Sequence, residues 1–183
     1  SIRLIRLNAI ASTNDEAKQL ATTGAEEGTL VWADEQTRGR GRQGRIWHSP
    51  PGNLYCSLVL RPAKPPGESV GLSFVASLSV CKALEEFLPS SADLRLKWPN
   101  DVLINGKKTA GILSESAATE AGNVEWVIIG CGVNVASHPA ETDYPVTNLM
   151  EEGCSDATVD AVLVAYLRHT LDWVQTWREH GFA

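Results

Sequence analysis

The chain has 183 residues, of which 43% are hydrophobic and 21% charged. That suits one soluble domain and leaves little room for a second. Its formal charge of −6 argues against broad nucleic-acid binding, which needs a basic face, and leaves room only for a local cationic site.

Residues 2–7, "IRLIRL", read as a strand. Ser12 or Thr13 suits the N-cap of a helix over 14–23, with Asp15 and Glu16 favourable in its first turn. Gly24 ends that helix. "GTLVWADE" (28–35) is a second strand, followed at 37–47 by "TRGRGRQGRIW", with four arginines and three glycines. "NLYCSLVLRP" (53–62) is the next strand, closed by Pro62, and "AKPPG" reads as loop. From Glu68 to Leu88 the apolar residues take helical spacing, and Pro89 stops the run. "LRLKW" (94–98) and "VLI" (102–104) are short strands separated by Pro99. "INGK" (104–107) is a hairpin signal, because Asn-Gly accepts the positive φ that a tight turn needs. Strands follow at 109–116 and 123–135, then a Pro-containing loop through Pro145. An amphipathic helix runs from about Thr158 to His180, with Val162, Tyr166, Thr170, Trp173 and Trp177 on one side and Gly181 at its C-cap. Antiparallel-looking strand runs between a few helices predict an α+β fold with a mixed, largely antiparallel β-sheet flanked by helices.

Several classes of function are disfavoured. No apolar run approaches the roughly 20 residues of a membrane span, and the N-terminus lacks a cleavable signal layout. Cys56, Cys81, Cys131 and Cys154 show no C-x-x-C spacing and sit in or beside apolar stretches. Reduced, buried thiols and a cytoplasmic location are expected. The histidines have no triad or metal spacing, His48 reads as structural, and no G-x-S-x-G elbow is present. The arginine loop remains. Its glycines let backbone N–H groups approach an anion, and its guanidinium forks match carboxylate or phosphate. Lying between two strong strands, it reads as an anion site more readily than as a solvated basic loop.

"GRGRQGRIWHSPPGNLYCSLVLRP" resembles a signature of biotin protein ligases. So do "STN" (12–14), "KWPNDV" (97–102) with "KKTAGIL" (107–113), and "GCGVNV" (130–135), in the same order. The resemblance covers nearly the whole chain. It implies a catalytic domain of the class II aminoacyl-tRNA synthetase/biotin ligase-like kind over residues 1–183. In departure from the family pattern, residues 1–183 are expected to hold no N-terminal DNA-binding domain and not the small β-rich domain usual after the catalytic one. The implied reaction joins biotin to ATP as biotinyl-5′-AMP, with Mg²⁺, and passes the biotinyl group to a lysine on a carboxylase carrier domain. No nucleic acid or membrane partner is implied, and an exposed sheet edge would let two copies pair. The alternatives are a lipoate- or octanoate-type enzyme of the same superfamily, or a non-catalytic biotin-binding module.

By the same resemblance, Ser12, Thr13, Asn14 and Gln36 hold the ureido head of biotin. Gly39, Gly41, Gly111 and Gly130 allow close approach to it. Arg40 and Arg42 meet the carboxylate or the adenylate phosphate, with Arg42 retaining the intermediate. Lys108 is the principal catalytic cation. Trp47 covers the adenine face and Asn134 reads its edge. Lys97, Asn100 and Asp101 face the phosphates or their Mg²⁺; the metal ligands themselves are left unassigned. Each has a plainer reading. "STN" is also an ordinary helix N-cap, Lys107 and Lys108 follow a hairpin turn where lysines are commonly exposed, Trp47 fits a core, and Asp101 fits a turn. The loop at 38–45 is expected to order over its ligand, because an acyl adenylate must be kept from water.

Overall fold

The computed structural model describes residues 1–181. Strand β1 (Arg3–Ile10) leads into helix α1 (Thr13–Thr22) and strand β2 (Thr29–Gln36). Strand β3 (Leu54–Leu60), short helix α2 (Pro66–Ser69) and helix α3 (Leu72–Glu85) follow. Strands β4 (Leu94–Lys97), β5 (Asp101–Ile104), β6 (Lys107–Ala118) and β7 (Val124–Val133) precede the long helix α4 (Val159–His180). The strands form one seven-stranded sheet in the order β1-β2-β3-β7-β6-β5-β4. β1 and β2 run parallel and all the other pairs antiparallel. The α+β fold with a mixed, largely antiparallel sheet is as the sequence predicts.

Alternation along the strands gives the sheet two apolar faces. Leu30, Leu58, Ile129 and Cys131 join the larger core beneath α3 and α4. Val31, Val59, Trp126 and Ile128 meet Ala17 and Ala21 of α1 on the opposite face. Leu30, Leu58, Leu84, Ile104 and Ile128 are fully buried, each contributing about 1.5–3 kcal/mol by removal from water. All four cysteines are buried and unpaired. Among the described residues no helix is long and apolar enough to cross a membrane.

Local signals act where the sequence puts them. Ser12 is the N-cap of α1, its hydroxyl accepting from Asp15 N–H at 3.5 Å. Arg61 then meets the carbonyls at the far end of α1, donating to Ala21 at 2.7 Å and Ala25 at 2.8 Å, which satisfies orphan acceptors at the negative end of the helix. Asn105 and Gly106 have φ of 51° and 79°, the paired positive values of a tight hairpin. Gly181 caps α4 with φ 68°. Several boundaries differ from expectation: β1 runs to Ile10 rather than 7, and β7 stops at Val133 rather than 135. The helix expected from Glu68 begins as a separate turn at Pro66, and α3 starts only at Leu72 after Gly71. β6 extends at both ends of the expected 109–116, because β5 and β7 supply partners along it.

Candidate active site

The floor of the cleft is made by what three glycines lack. Gly111 of β6 pairs with Gly132 of β7, and Gly130 pairs with Leu113, so all three open the sheet face that carries α1. A Cβ at Gly130 would lie 2.0 Å from Asn14 Oδ1, and one at Gly132 would lie 2.6 Å from Trp47 Cε2. One at Gly111 would lie 3.1 Å from Trp47 Cζ3 and 3.6 Å from Lys108 Nζ. The half-buried Trp47 indole therefore rests on bare backbone inside the cleft rather than in a core.

The closed end is polar and fully connected. The Thr13 N–H and hydroxyl donate to Gln36 Oε1 at 2.8 and 3.0 Å. The Gln36 amide donates to Ser49 Oγ at 2.9 Å, and that hydroxyl donates to the Trp47 carbonyl at 2.8 Å. The buried Ser57 hydroxyl lies 2.8 Å from Thr13 Oγ1 and 2.6 Å from Asn14 Oδ1. Asn14 Nδ2 donates to the Leu113 carbonyl at 3.2 Å and to Glu115 Oε2 at 2.9 Å. Ser12, Thr13 and Asn14 are buried. "STN" thus serves as helix cap and cleft wall together. Gly39 is needed for packing, since a Cβ there would lie 2.3 Å from the Trp47 carbonyl and 2.4 Å from Ser49 Oγ.

The other end is cationic. Residues 39–47 fold back on themselves through Trp47 N–H to the Gly39 carbonyl at 3.0 Å and Gly41 N–H to the Arg45 carbonyl at 2.7 Å. Gln43 and Gly44, with φ of 56° and 75°, turn the tip. Arg40 is held by Asp15 at 2.6 Å and Glu115 at 2.7 Å. Burial alone would lower its pKa, but the Glu115 hydrogen bond and charge, with Asp15, outweigh that and raise it. Arg42 donates to Asn100 Oδ1 at 3.1 Å, and Asn100 in turn donates to the Ile112 carbonyl at 2.9 Å. Lys108 Nζ lies 2.9 Å from Asp101 Oδ1, with only 14% of its side chain exposed. It stands 5.3 Å from the ring centroids of both Trp47 and Tyr144. Arg38, Arg45 and Lys97 are exposed and no side-chain partner holds them among the described residues.

One cavity of about 310 Å³ gathers Ser12, Thr13, Asn14, Gln36, Arg40, Gly41, Arg42, Trp47, Lys97, Asn100, Asp101, Lys108, Gly111 and Gly130. Gly39 stands behind its wall and Asn134 outside it. Asn134 is buried, donates to the Thr147 carbonyl at 3.0 Å, and lines an adjoining cavity of about 180 Å³. Trp47, Lys108 and Tyr144 border both spaces. Sequence reasoning missed Tyr144, Gly132, Ser57 and Glu115. Gly132 was legible in principle, being two residues from Gly130 and so on the same strand face. The others depend on contacts from distant segments. Among the described residues no cluster of three or more His, Cys, Asp or Glu could hold a metal ion. The arrangement suits a ligand with a hydrogen-bonding head, an apolar body against Leu113 and Trp47, and an anionic tail near Lys108.

The family model described as the biotin/lipoate A/B protein ligase family matches residues 7–134. The bifunctional ligase/repressor BirA of Bacillus subtilis is 48% identical over 143 residues, covering 78% of this chain and 42% of that protein. The biotin–[acetyl-CoA-carboxylase] ligase of Paracoccus denitrificans is 48% identical over 128 residues, covering 70% of this chain and 52% of that protein. The chain thus spans about half the length of these relatives. The solved biotin protein ligase of Aquifex aeolicus in complex with biotin and ATP superposes with a TM-score of 0.80 at 34% identity, over 98% of this chain and 73% of that one. The Leishmania major biotin protein ligase in complex with biotinyl-5-AMP gives 0.80 at 29% identity, over 96% and 76%.

Proposed function

Because this chain belongs to the biotin/lipoate A/B protein ligase family, we propose that it activates biotin with ATP and transfers the biotinyl group to a lysine of a carboxylase carrier domain. In the first step a biotin carboxylate oxygen attacks the α-phosphorus of ATP and pyrophosphate leaves. In the second, the acceptor amine attacks the acyl carbon of biotinyl-5′-AMP and AMP leaves. The first step brings an anion to a polyanion, at a cost of about 4 kcal/mol for unit charges 4 Å apart at an effective dielectric near 20. Lys108 and Arg42 offset this repulsion and stabilise the charge that grows on the α-phosphate. The 2.9 Å pair with Asp101 keeps Lys108 directed into the cleft until the reactants displace it.

One observation favours biotin over lipoate or octanoate. The closed end is built of amides and hydroxyls, Thr13, Asn14, Gln36 and Ser57, already aligned by their mutual bonds. An alkyl or dithiolane terminus would cover these groups without using the donor and acceptor capacity left to them and would give up the bonds a polar head can make there, each worth about 0.5–1.5 kcal/mol. A ureido ring supplies both donors and acceptor. For ATP, Trp47 is the stacking surface and Asn134, in the adjoining cavity, is the edge reader. Mg²⁺ would be carried by the phosphates; Asp101 and the Asn100 amide oxygen, which pair with Lys108 and Arg42 here, would be candidate oxygen donors to an ion that keeps most of its shell from water and phosphate.

Incubation with biotin, Mg-ATP and a purified carrier domain tests the proposal by the mass of the acceptor. Addition of one biotinyl group, dependent on all three components, is the expected result. Pyrophosphate release stimulated by lipoate or octanoate and indifferent to biotin would move the enzyme to the other acids. Biotin binding without any pyrophosphate release would leave a sensing module.

A further inference from the structure

Glu115 stands on β6 two positions beyond Leu113, on the same sheet face as the glycine floor. Neither its spacing nor its neighbours in sequence mark it out. Yet one of its carboxylate oxygens, Oε2, accepts from Asn14 Nδ2 at 2.9 Å and from the Arg40 guanidinium at 2.7 Å. Asp15, beside Asn14 on α1, takes the same Arg40 nitrogen at 2.6 Å. Arg40 thus arrives in the cleft wall with its charge already balanced by two carboxylates, whereas Arg42 has only a neutral amide partner.

We propose that Glu115 is a positioning residue that couples the closed end of the cleft to the arginine loop: it fastens Arg40, and with it the base of the loop, to the Asn14 that closes the polar wall. The inference rests on the biotin-activating reading for its consequences and on geometry alone for the latch itself. Arg40 acts as the loop's anchor, and anion contact is left to Arg42 and Lys108. A ligand head that fixes the Asn14 amide fixes the Glu115 carboxylate with it. The loop is then held over the intermediate while the carrier lysine is awaited. Side-chain exposures of 23% for Glu115, 39% for Arg40 and 56% for Asp15 place Glu115 as the best shielded of the three, so its charge is the least screened by solvent.

Two measurements test this, one of them independent of any activity. In the ligand-free protein, tryptic cleavage within residues 38–45 is expected to be about ten-fold faster in Glu115→Ala, about equally fast in Arg40→Ala, and no faster still in the double variant, as for a shared contact. Cleavage at the wild-type rate in Glu115→Ala overturns the latch even if the chain proves to be an active biotin ligase. In the full reaction, the ratio of pyrophosphate released to acceptor labelled is expected to rise about ten-fold in Glu115→Ala, because the intermediate escapes or hydrolyses. Glu115→Gln keeps an oxygen for Asn14 but loses the charge that holds Arg40, and is expected to share the leak. A purely structural role would lower both products together and leave the ratio near that of wild type, which also overturns the proposal. A wild-type chain that releases no biotin-dependent pyrophosphate refutes the functional reading and leaves the proteolysis result to decide the latch.

Discussion

At the closed end of the cleft, Thr13, Asn14, Gln36 and Ser57 are each tied to at least one other polar group, on α1, β2 and β3. At the open end, Arg38, Arg45 and Lys97 are exposed without side-chain partners among the described residues, and Arg42 has one 3.1 Å bond to an amide. Thr13, Asn14 and Gln36 line the same cavity as Arg42, Arg45 and Lys97, yet the first group is bonded within itself and the second has little to hold it. The difference follows from chemistry. Neutral donors and acceptors can satisfy one another at little electrostatic cost, so a head-group site can be rigid in advance. Guanidinium groups gathered for a phosphate repel each other until the phosphate is present, so they belong on a loop that glycine keeps adaptable. On the proposed function, preorganised selectivity and ligand-ordered closure would be divided between the two ends.

Lys108 lies beside Asp101, Trp47 and Tyr144, and its loss is expected to have the largest effect. On the proposed function, Lys108→Ala removes the principal catalytic cation. Biotin-dependent pyrophosphate release is expected to fall about 10²–10³-fold, the range seen when one preorganised electrostatic stabiliser is removed. Biotin affinity measured by calorimetry should change much less, since the head-group contacts are intact. An unaltered rate would transfer the catalytic role to Lys107 or Lys97.

The next effect falls on the rigid end. Gly130→Ala would set a methyl 2.0 Å from Asn14 Oδ1, against an amide that its own hydrogen bonds hold in place. Overpacking of this kind costs about 1–3 kcal/mol. Biotin dissociation constants are therefore expected to rise roughly ten- to a hundred-fold, at ten-fold per 1.4 kcal/mol. An affinity close to wild type would mean that Asn14 yields easily and that the closed end is not preorganised. The converse holds for the loop. Biotin plus ATP is expected to slow tryptic cleavage within residues 38–45 about ten-fold, and Arg42→Ala to abolish most of that protection. Equal cleavage with and without ligands would show that the loop closes over nothing.

This division also explains what was readable from the residues alone. The Asn105–Gly106 turn, the Ser12 cap and the Gly181 stop rest on local φ and hydrogen bonding and stand where those signals put them; the strands are where periodicity puts them, with ends shifted by their partners. The break between α2 and α3 was not readable, because "AKPPG" has loop composition while Pro66 also suits the first turn of a helix. Strand order was not readable either: β7 lies between β3 and β6 for reasons of packing that no segment carries by itself. In the cleft, Lys108, Arg42, Trp47 and the glycines were visible as motif residues. Glu115 and Ser57 were not, since their partners lie 101 and 43 positions away in sequence. A serine and a glutamate on strands look ordinary until α1 is laid across them.

The smallest expected effect concerns what keeps Lys108 in register. The Asn105–Gly106 hairpin delivers Lys107 and Lys108, and Glu152 holds it from outside. Glu152 accepts from Asn105 Nδ2 at 2.7 Å, from Thr147 Oγ1 at 2.7 Å and from Lys107 Nζ at 3.3 Å. Burial alone would raise the pKa of this carboxyl, but the bonds from Thr147, Asn105 and Lys107 outweigh it and lower the pKa below its ordinary 4.5. A carboxyl lowered on folding stabilises the native state above its unfolded pKa, and the contribution is lost as pH falls through the native one. Glu152→Gln is accordingly expected to cost about 1 kcal/mol at neutral pH, or roughly 2–4 °C in Tm for a domain of this size. The gap between variant and wild type should stay constant through neutral pH and close as the pH drops below 4.5. Adenylation by the variant should fall in step with any loosening of the hairpin, because a lysine displaced by about 1 Å can lose a hundred-fold in rate. A Tm gap that persists unchanged at low pH would show that shape rather than charge holds the turn. Lys108 would then be positioned by the same kind of neutral packing that builds the closed end.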